Sequence, residues 1–288
     1  MRCLIALLIA VVTLAPGARA QPIPPGDAKD NIAGPYVPTP ASIVTEMLKL
    51  ADVGNNDVLY DLGSGDGRLV TTAAKRYGAS GVGIELDPAL VEIARGIAVG
   101  EDVQDRVKFV AGDLFEQNVS AASVVTLYLL PRYVTRLVPK LRAELAPGAR
   151  IVAHDYPLAP WPPDKTLVFD VPEKEAISGT PRTVLYYYVV PARISGDWTL
   201  TLPKALSPKP VTLRIRQEPD SLEGTARMGS DVLDLRDLVV HADAISFWLF
   251  HRGRFTHFKG RVAGSEMSGE VGSENLRERW TGRLGAGR

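Results

Sequence analysis

The chain has 288 residues, 45% of them hydrophobic, with Lys+Arg and Asp+Glu balanced at 33 each and a single cysteine. That length supports a sizeable α/β core plus a second, smaller unit, and the charge balance argues against a nucleic-acid or anionic-lipid partner. The lone Cys3 excludes disulfides and cysteine zinc sites from the chain that follows it.

The first 20 residues have the three parts of an export signal: Arg2, a 13-residue apolar run from Cys3 to Ala15, and Ala18-Arg19-Ala20 as a small-x-small cleavage site. The run falls short of the roughly 20 residues a membrane span needs, so cleavage after Ala20 predicts an exported, periplasmic or secreted protein with no remaining span. An uncleaved anchor is the alternative. Residues 21–38 are rich in Pro and Gly and read as a linker.

A helix is expected next, with Thr39 as N-cap, Pro40 at the first helical position, and Ile43, Met47, Leu48 and Ala51 on one face. Short apolar runs then alternate with amphipathic stretches, predicting βαβ units on a mostly parallel sheet. Strands are expected at 57–63, 80–86, 106–112, 123–129, 149–155, 165–171 and 183–190, and helices at 67–76, 88–99 and 131–145. The predicted fold is therefore an α/β, Rossmann-like seven-stranded sheet over residues 39–191.

Beyond Pro191 helical periodicity disappears, and residues 196–288 read as a small antiparallel β domain, either a closing barrel or a set of hairpins. Leu222, Phe258, Met267 and Trp280 each precede a glycine by two positions. In that pattern a large side chain fills a core and the glycine admits a close neighbouring strand.

In an open parallel sheet ligands bind beyond the carboxyl ends of the strands. The first strand ends at Asp61 and runs into Gly63-Ser64-Gly65-Asp66-Gly67. The dinucleotide pattern G-x-G-x-x-G fails here, because Arg68 stands where the third glycine belongs. Asp61 and Asp66 suit a ligand bearing an ammonium and a sulfonium better than a pyrophosphate. Glu85, at the end of the second strand before Leu86, can accept both hydroxyls of a ribose. Asp113, before Leu114 at the end of the third, can accept from an adenine amine. Each acid alone also fits a turn or a helix start. Together, three acids at three successive strand ends point to S-adenosylmethionine.

The segments "DLGSGDGR", "ELDP" and "GDLF" resemble those of the class I methyltransferases. With "PYVPTP" and "WPPD", the region 35–190 is similar to the mitochondrial protein-lysine methyltransferases of the ATP synthase c subunit and the adenine nucleotide translocase. The resemblance implies a protein lysine or other amine as substrate, and implies that Tyr36, Pro38 and Thr39 close over the methionine end of the donor.

Tyr128 is the polar residue nearest the expected methyl position, with His154 and Asp155 at the next strand end; an aromatic half in the core is the alternative for Tyr128. "WPPD" is either a lip over the substrate channel or a rigid turn. No metal-ligand spacing stands out. A second functional reading is an inactive scaffold with the same fold. In either case the β unit would recruit or shape a partner.

Overall fold

The computed structural model describes residues 36–273 and 276–285. The leader and nearly all of the Pro/Gly-rich stretch lie outside the described residues.

The first lobe opens with α1 (Ala41–Leu50), whose Ile43, Val44, Met47 and Leu48 are buried. Pro40, not Thr39, is the N-cap residue, and no side chain caps the helix. Pro40 has φ −53° and ψ 145°, so the helix starts only after it, and Thr39, as the residue before a proline, is itself biased to extended backbone.

Seven strands follow: β1 (Val58–Leu62), β2 (Ser80–Glu85), β3 (Val107–Ala111), β4 (Val124–Leu127), β5 (Arg150–His154), β6 (Lys165–Asp170) and β7 (Arg182–Val189), in the spatial order β3-β2-β1-β4-β5-β7-β6. All neighbours are parallel except β7, which runs antiparallel to β5 and β6. The strand order reverses between β1 and β4, which opens the crevice where ligands bind.

The connecting helices are α2 (Arg68–Tyr77), α3 (Pro88–Gly100) and α4 (Pro131–Glu144). Successive residues of a strand face opposite sides, so Val124 joins the core under α1, α2 and α3 while Val125 joins the one under α4. A short helix, α5 (Pro172–Ser178), interrupts the stretch between β6 and β7. Its seven residues are too few to show a helical period in the sequence.

The second lobe contains β8 (Gly196–Thr201), β9 (Val211–Gln217), β10 (Leu222–Met228), β11 (Asp231–Asp234), β12 (Arg236–His241), β13 (Ala244–His251), β14 (Arg254–Ala263), β15 (Glu266–Ser273) and β16 (Leu276–Leu284). Their order is β11-β10-β9-β8-β16-β15-β14-β13-β12, so the last strand pairs with the first of the lobe. The two edges, β11 and β12, are one run of chain broken only at Leu235, whose N–H donates to the Gly224 carbonyl at 2.9 Å. The sheet thus curls into a nearly closed barrel.

Its wall shows why glycines recur. Ile245, Gly260, Gly269 and Trp280 stand opposite one another on four adjacent strands. A Cβ on Gly260 would lie 2.7 Å from Cζ2 of Trp280, and one on Gly269 would lie 2.0 Å from the Lys259 carbonyl oxygen. The missing side chains let the indole cross the interior and the strands approach.

The barrel attaches at the N-terminal ends of the parallel strands. The Ala192 N–H donates to the Ala242 carbonyl at 2.6 Å, and Arg193 donates to the last-turn carbonyls of Arg142 and Ala143 in α4. His241 approaches Asp164, just before β6, at 4.0 Å. This is the pole opposite the carboxyl ends of the strands, so the barrel does not wall the crevice.

"WPPD" belongs to that same pole. Trp161 is buried with its ring 5.3 Å from Tyr188, and the Asp164 carboxylate accepts from the Val189 N–H at 2.7 Å. It is a turn, not a lip. Among the described residues, no helix is long and apolar enough to cross a membrane, and no group of three or more His, Cys, Asp or Glu could hold a metal ion.

Candidate active site

The loop after β1 is built by three glycines with positive φ, Gly63 at 82°, Gly65 at 53° and Gly67 at 78°, a region that L side chains avoid. The N–H groups of Gly63 and Ser64 both donate to the Ile84 carbonyl, at 2.9 and 3.0 Å, and pin the loop to β2. Gly67 serves packing: a Cβ there would meet the Phe109 ring at 2.5 Å and the Ala94 Cβ at 2.8 Å.

Glu85 reaches back to this loop, its Oε2 accepting from the Gly65 N–H at 2.9 Å and its Oε1 from Leu86 and Asp87 at 2.8 and 3.1 Å. Leu86 beside it is exposed. One strand over, the Asp113 carboxylate accepts from the Phe115 N–H at 2.8 Å, and Leu114 packs half-buried against the core.

A cleft lined by Tyr36, Pro38, Thr39, Asp61, Gly63, Ser64, Gly65, Asp66, Arg68, Leu69 and Tyr128 sits above the loop. The Tyr36 ring lies where a Cβ of Gly65 would be, and leaves a cavity of about 30 Å³. Ser64 Oγ is buried without a hydrogen-bond partner.

The loop acids differ. Asp66 is gripped by Arg68, whose Nε donates to its carboxylate at 2.9 and 3.1 Å and whose Nη2 donates at 2.6 Å. Burial pushes the Asp66 carboxyl up, but the Arg68 bonds and charge outweigh it and hold the group below its usual range. The sequence had counted Asp66 as free negative charge for a cation; the guanidinium already neutralises it. Arg68 also donates to the Thr39 carbonyl at 2.9 Å, tying the segment before α1 to the loop.

Asp61 is held by a hydroxyl instead of a guanidinium. It is 4% exposed, with Thr126 as its hydrogen-bond donor at 2.7 Å. Burial pushes its pKa up to about 7 against the Thr126 bond, with Glu85 and Asp66 adding to the rise.

At the ends of β4 and β5, the Tyr128 and His154 rings meet with centroids 4.0 Å apart and planes tilted by 33°. Burial and then the Asp155 carboxylate, which accepts from the phenol, raise the Tyr128 pKa. Asp155 has φ 63°, uncommon for a non-glycine residue, and its carboxylate takes the Lys174 ammonium at 2.7 and 2.9 Å. Lys174, from α5, is 2% exposed. His154 is fully buried with neither ring nitrogen hydrogen-bonded, its Nε2 3.5 Å from the Asp155 carboxylate, and burial, opposed by Asp155, lowers its pKa to about 4.

Sequence reading missed Thr126, Lys174 and the double role of Arg68. For Thr126 the signal was present, one hydroxyl in the otherwise apolar run of β4. Lys174 gave none, since it pairs with a residue 19 positions away.

A family model described as the ANTKMT methyltransferase domain matches residues 61–165. A protein-lysine N-methyltransferase of Saccharolobus islandicus (strain REY15A) is 37% identical over 157 residues, which are 54% of this chain and 93% of the relative. The chain belongs to this methyltransferase family, which uses S-adenosylmethionine. The Xenopus laevis lysine N-methyltransferase of the ATP synthase c subunit is 37% identical over 130 residues, 45% of this chain and 57% of the relative, so the match spans little more than half of that animal enzyme. Among solved structures, an RNA methyltransferase from Salinibacter ruber in complex with S-adenosyl-L-homocysteine is 48% identical with a TM-score of 0.50, covering 55% of this chain and 96% of that one. The methyltransferase carries its barrel outside the residues the family model matches.

Proposed function

We propose that this methyltransferase modifies the amine of a lysine side chain in a protein substrate. The observation that carries the reading is Tyr128, which opens onto the cleft shared with Asp61 and leans on a neutralised Asp155–Lys174 pair. Similarity to enzymes described as protein-lysine methyltransferases supports it. A small amine is the simpler form of the same acceptor.

The residues present suit the donor. Asp61 offers a desolvated carboxylate to an ammonium, Ser64 has a buried hydroxyl to spare, and Gly63 and Gly65 present backbone without side chains. Tyr36, Pro38 and Thr39 cover this end, while Glu85 serves the ribose and Asp113 with Leu86 and Leu114 serves the adenine. Tyr36 has to swing off Gly65 to admit a molecule of that size. Asp66 and Gly67 act by shaping the loop.

When bound, S-adenosylmethionine supplies a methyl group on a sulfonium, transferable by in-line displacement. The task of this chain is alignment and exclusion of water. Lys174 holds Asp155, and the Asp155 carboxylate stands beside the Tyr128 phenol as a hydrogen-bond acceptor that keeps it protonated. That leaves the lone pairs of the phenol oxygen to accept an N–H of the substrate amine and aim its nitrogen at the methyl. A lysine must first lose its proton, against a reference pKa of about 10.4. Buried, neutral His154 beneath Tyr128 adds no charge of its own to this wall.

The leader read from residues 1–20 adds export with cleavage after Ala20 to this proposal, which makes the acceptor an envelope or secreted protein; N-terminal sequencing of the mature chain tests that part. The activity test is labelling of cell-envelope proteins with a methyl-labelled donor, followed by mass spectrometry. Label on lysine supports the reading. Label that survives proteinase and is lost to ribonuclease would favour RNA, the acceptor in the description of the Salinibacter relative, against which the balanced charge of the chain argues.

A further inference from the structure

The barrel has one mouth turned away from the methyltransferase lobe. β13 begins next to the Ala242–Asp243 turn that touches this lobe, and its eight residues carry the chain about 27 Å to the Arg252–Gly253 turn. Its inward face runs Ile245, Phe247, Leu249, all buried, and then His251. On β14 the matching face runs Phe258, Thr256 and then Arg254, which pairs with His251. The interior stripe is apolar in its depth and cationic at the rim.

Leu202, Leu206 and Met228 come from the other side of this mouth and, with Leu249 and Phe258, line a cavity of about 370 Å³. Deeper space is filled by Trp198, Trp280 and Phe247, all fully buried. The rim carries Arg252, Arg254 and His251, and among the described residues no acid lines the cavity. Asp231 stands at the rim, hydrogen-bonded to His251 Nε2 at 3.1 Å and close enough to Arg252 to feel its charge, which leaves Arg254 as the principal cation for a ligand head. Arg252 and Arg254 are exposed at the mouth, and Arg254 continues the face of Thr256 and Phe258, so a guanidinium stands at the entrance above an apolar floor. With β11 and β12 forming one interrupted strand the wall has the width of about eight strands, enough to hold one small ligand, and barrel mouths are recurrent ligand sites.

We propose that this mouth binds a single-chain anionic amphiphile, with the acyl chain on Leu202, Leu206, Met228 and Leu249 and the carboxylate on Arg254 and Arg252. Guanidinium–carboxylate pairing fixes the head, and burial of the chain supplies the affinity. This inference stands apart from methyl transfer and needs none of the residues placed in that site.

Calorimetric titration of the full chain with sodium dodecanoate, below its micellar concentration, tests it. Saturable one-to-one binding is expected, at least tenfold tighter than for dodecyltrimethylammonium. Arg254→Glu should weaken dodecanoate at least tenfold, as should Ala205→Trp, which fills the mouth without touching the charges. No saturable binding, equal affinity for the cationic chain, or unchanged affinity in either variant would overturn the proposal. The comparison of the two amphiphiles on the unaltered protein keeps the test standing if a variant fails to fold.

Discussion

Thr126 Oγ1 donates to Asp61 Oδ1 across 2.7 Å, between two side chains almost wholly cut off from solvent. The contact follows from register: β1 and β4 are parallel neighbours with Asp61 opposite Thr126, so both side chains leave the sheet on one face. One hydroxyl does not replace the water that a carboxylate loses, and the Asp61 pKa therefore stands near 7, as the burial demands.

Asp61 should make the ligand-free protein less stable while serving the donor. Its folded pKa of about 7 lies above the unfolded value, so the folded state binds more protons between about pH 4 and pH 7. Stability from this group is full below pH 4 and is lost as pH rises to 7. Asp61→Asn should raise the denaturant midpoint at pH 8 and remove this slope, while weakening donor affinity at least tenfold by calorimetry. In the unaltered protein, donor affinity should fall as pH drops below 7, where Asp61 becomes neutral. A pH-independent affinity would contradict the assignment.

Arg68 joins the loop to the segment before α1 through Asp66 and the Thr39 carbonyl. Arg68→Lys keeps the charge but loses the fork, and a charged hydrogen bond of this kind is worth about 1.5–3 kcal/mol. The donor KM should rise roughly tenfold with kcat little changed. An equal fall in kcat at constant KM would show that Arg68 acts elsewhere.

The Lys174–Asp155 pair should be felt in both stability and rate. Lys174→Met leaves the partly buried Asp155 carboxylate without its ammonium, which costs about 1–3 kcal/mol, and adding Asp155→Asn should recover much of that loss. Tyr128→Phe, which keeps the ring on His154, should lower kcat while leaving donor binding intact. Chemical denaturation of the single and double variants, with steady-state kinetics, separates the two effects.

Within the barrel, Gly269→Val should be severe. A Cβ at that point would stand 2.0 Å from the Lys259 carbonyl and 2.4 Å from the Gly260 Cα, so two strands would have to part. Overpacking of this kind costs about 1–3 kcal/mol or more, and loss of the Trp280 contact should shift tryptophan emission to the red.

By itself the amino-acid sequence determined the alternation of strands and helices, the glycine loop, the acids at three strand ends and the change of texture after Pro191. These are local features: a side-chain period of two or 3.6 and a turn that needs positive φ are written in neighbouring residues. Strand ends came out within about two residues, and the seven-residue α5 escaped because it is shorter than two helical turns. Only the tertiary structure decided which acids remain available. Asp66 is neutralised by Arg68, Asp61 is desolvated under Thr126, and Asp155 is held by Lys174, because ion pairing and loss of water depend on what the fold brings alongside. The same holds for the second lobe. Its glycines announced close strands, but closure through Leu235 and attachment at the pole away from the glycine loop are set by long-range pairing, which no local pattern encodes.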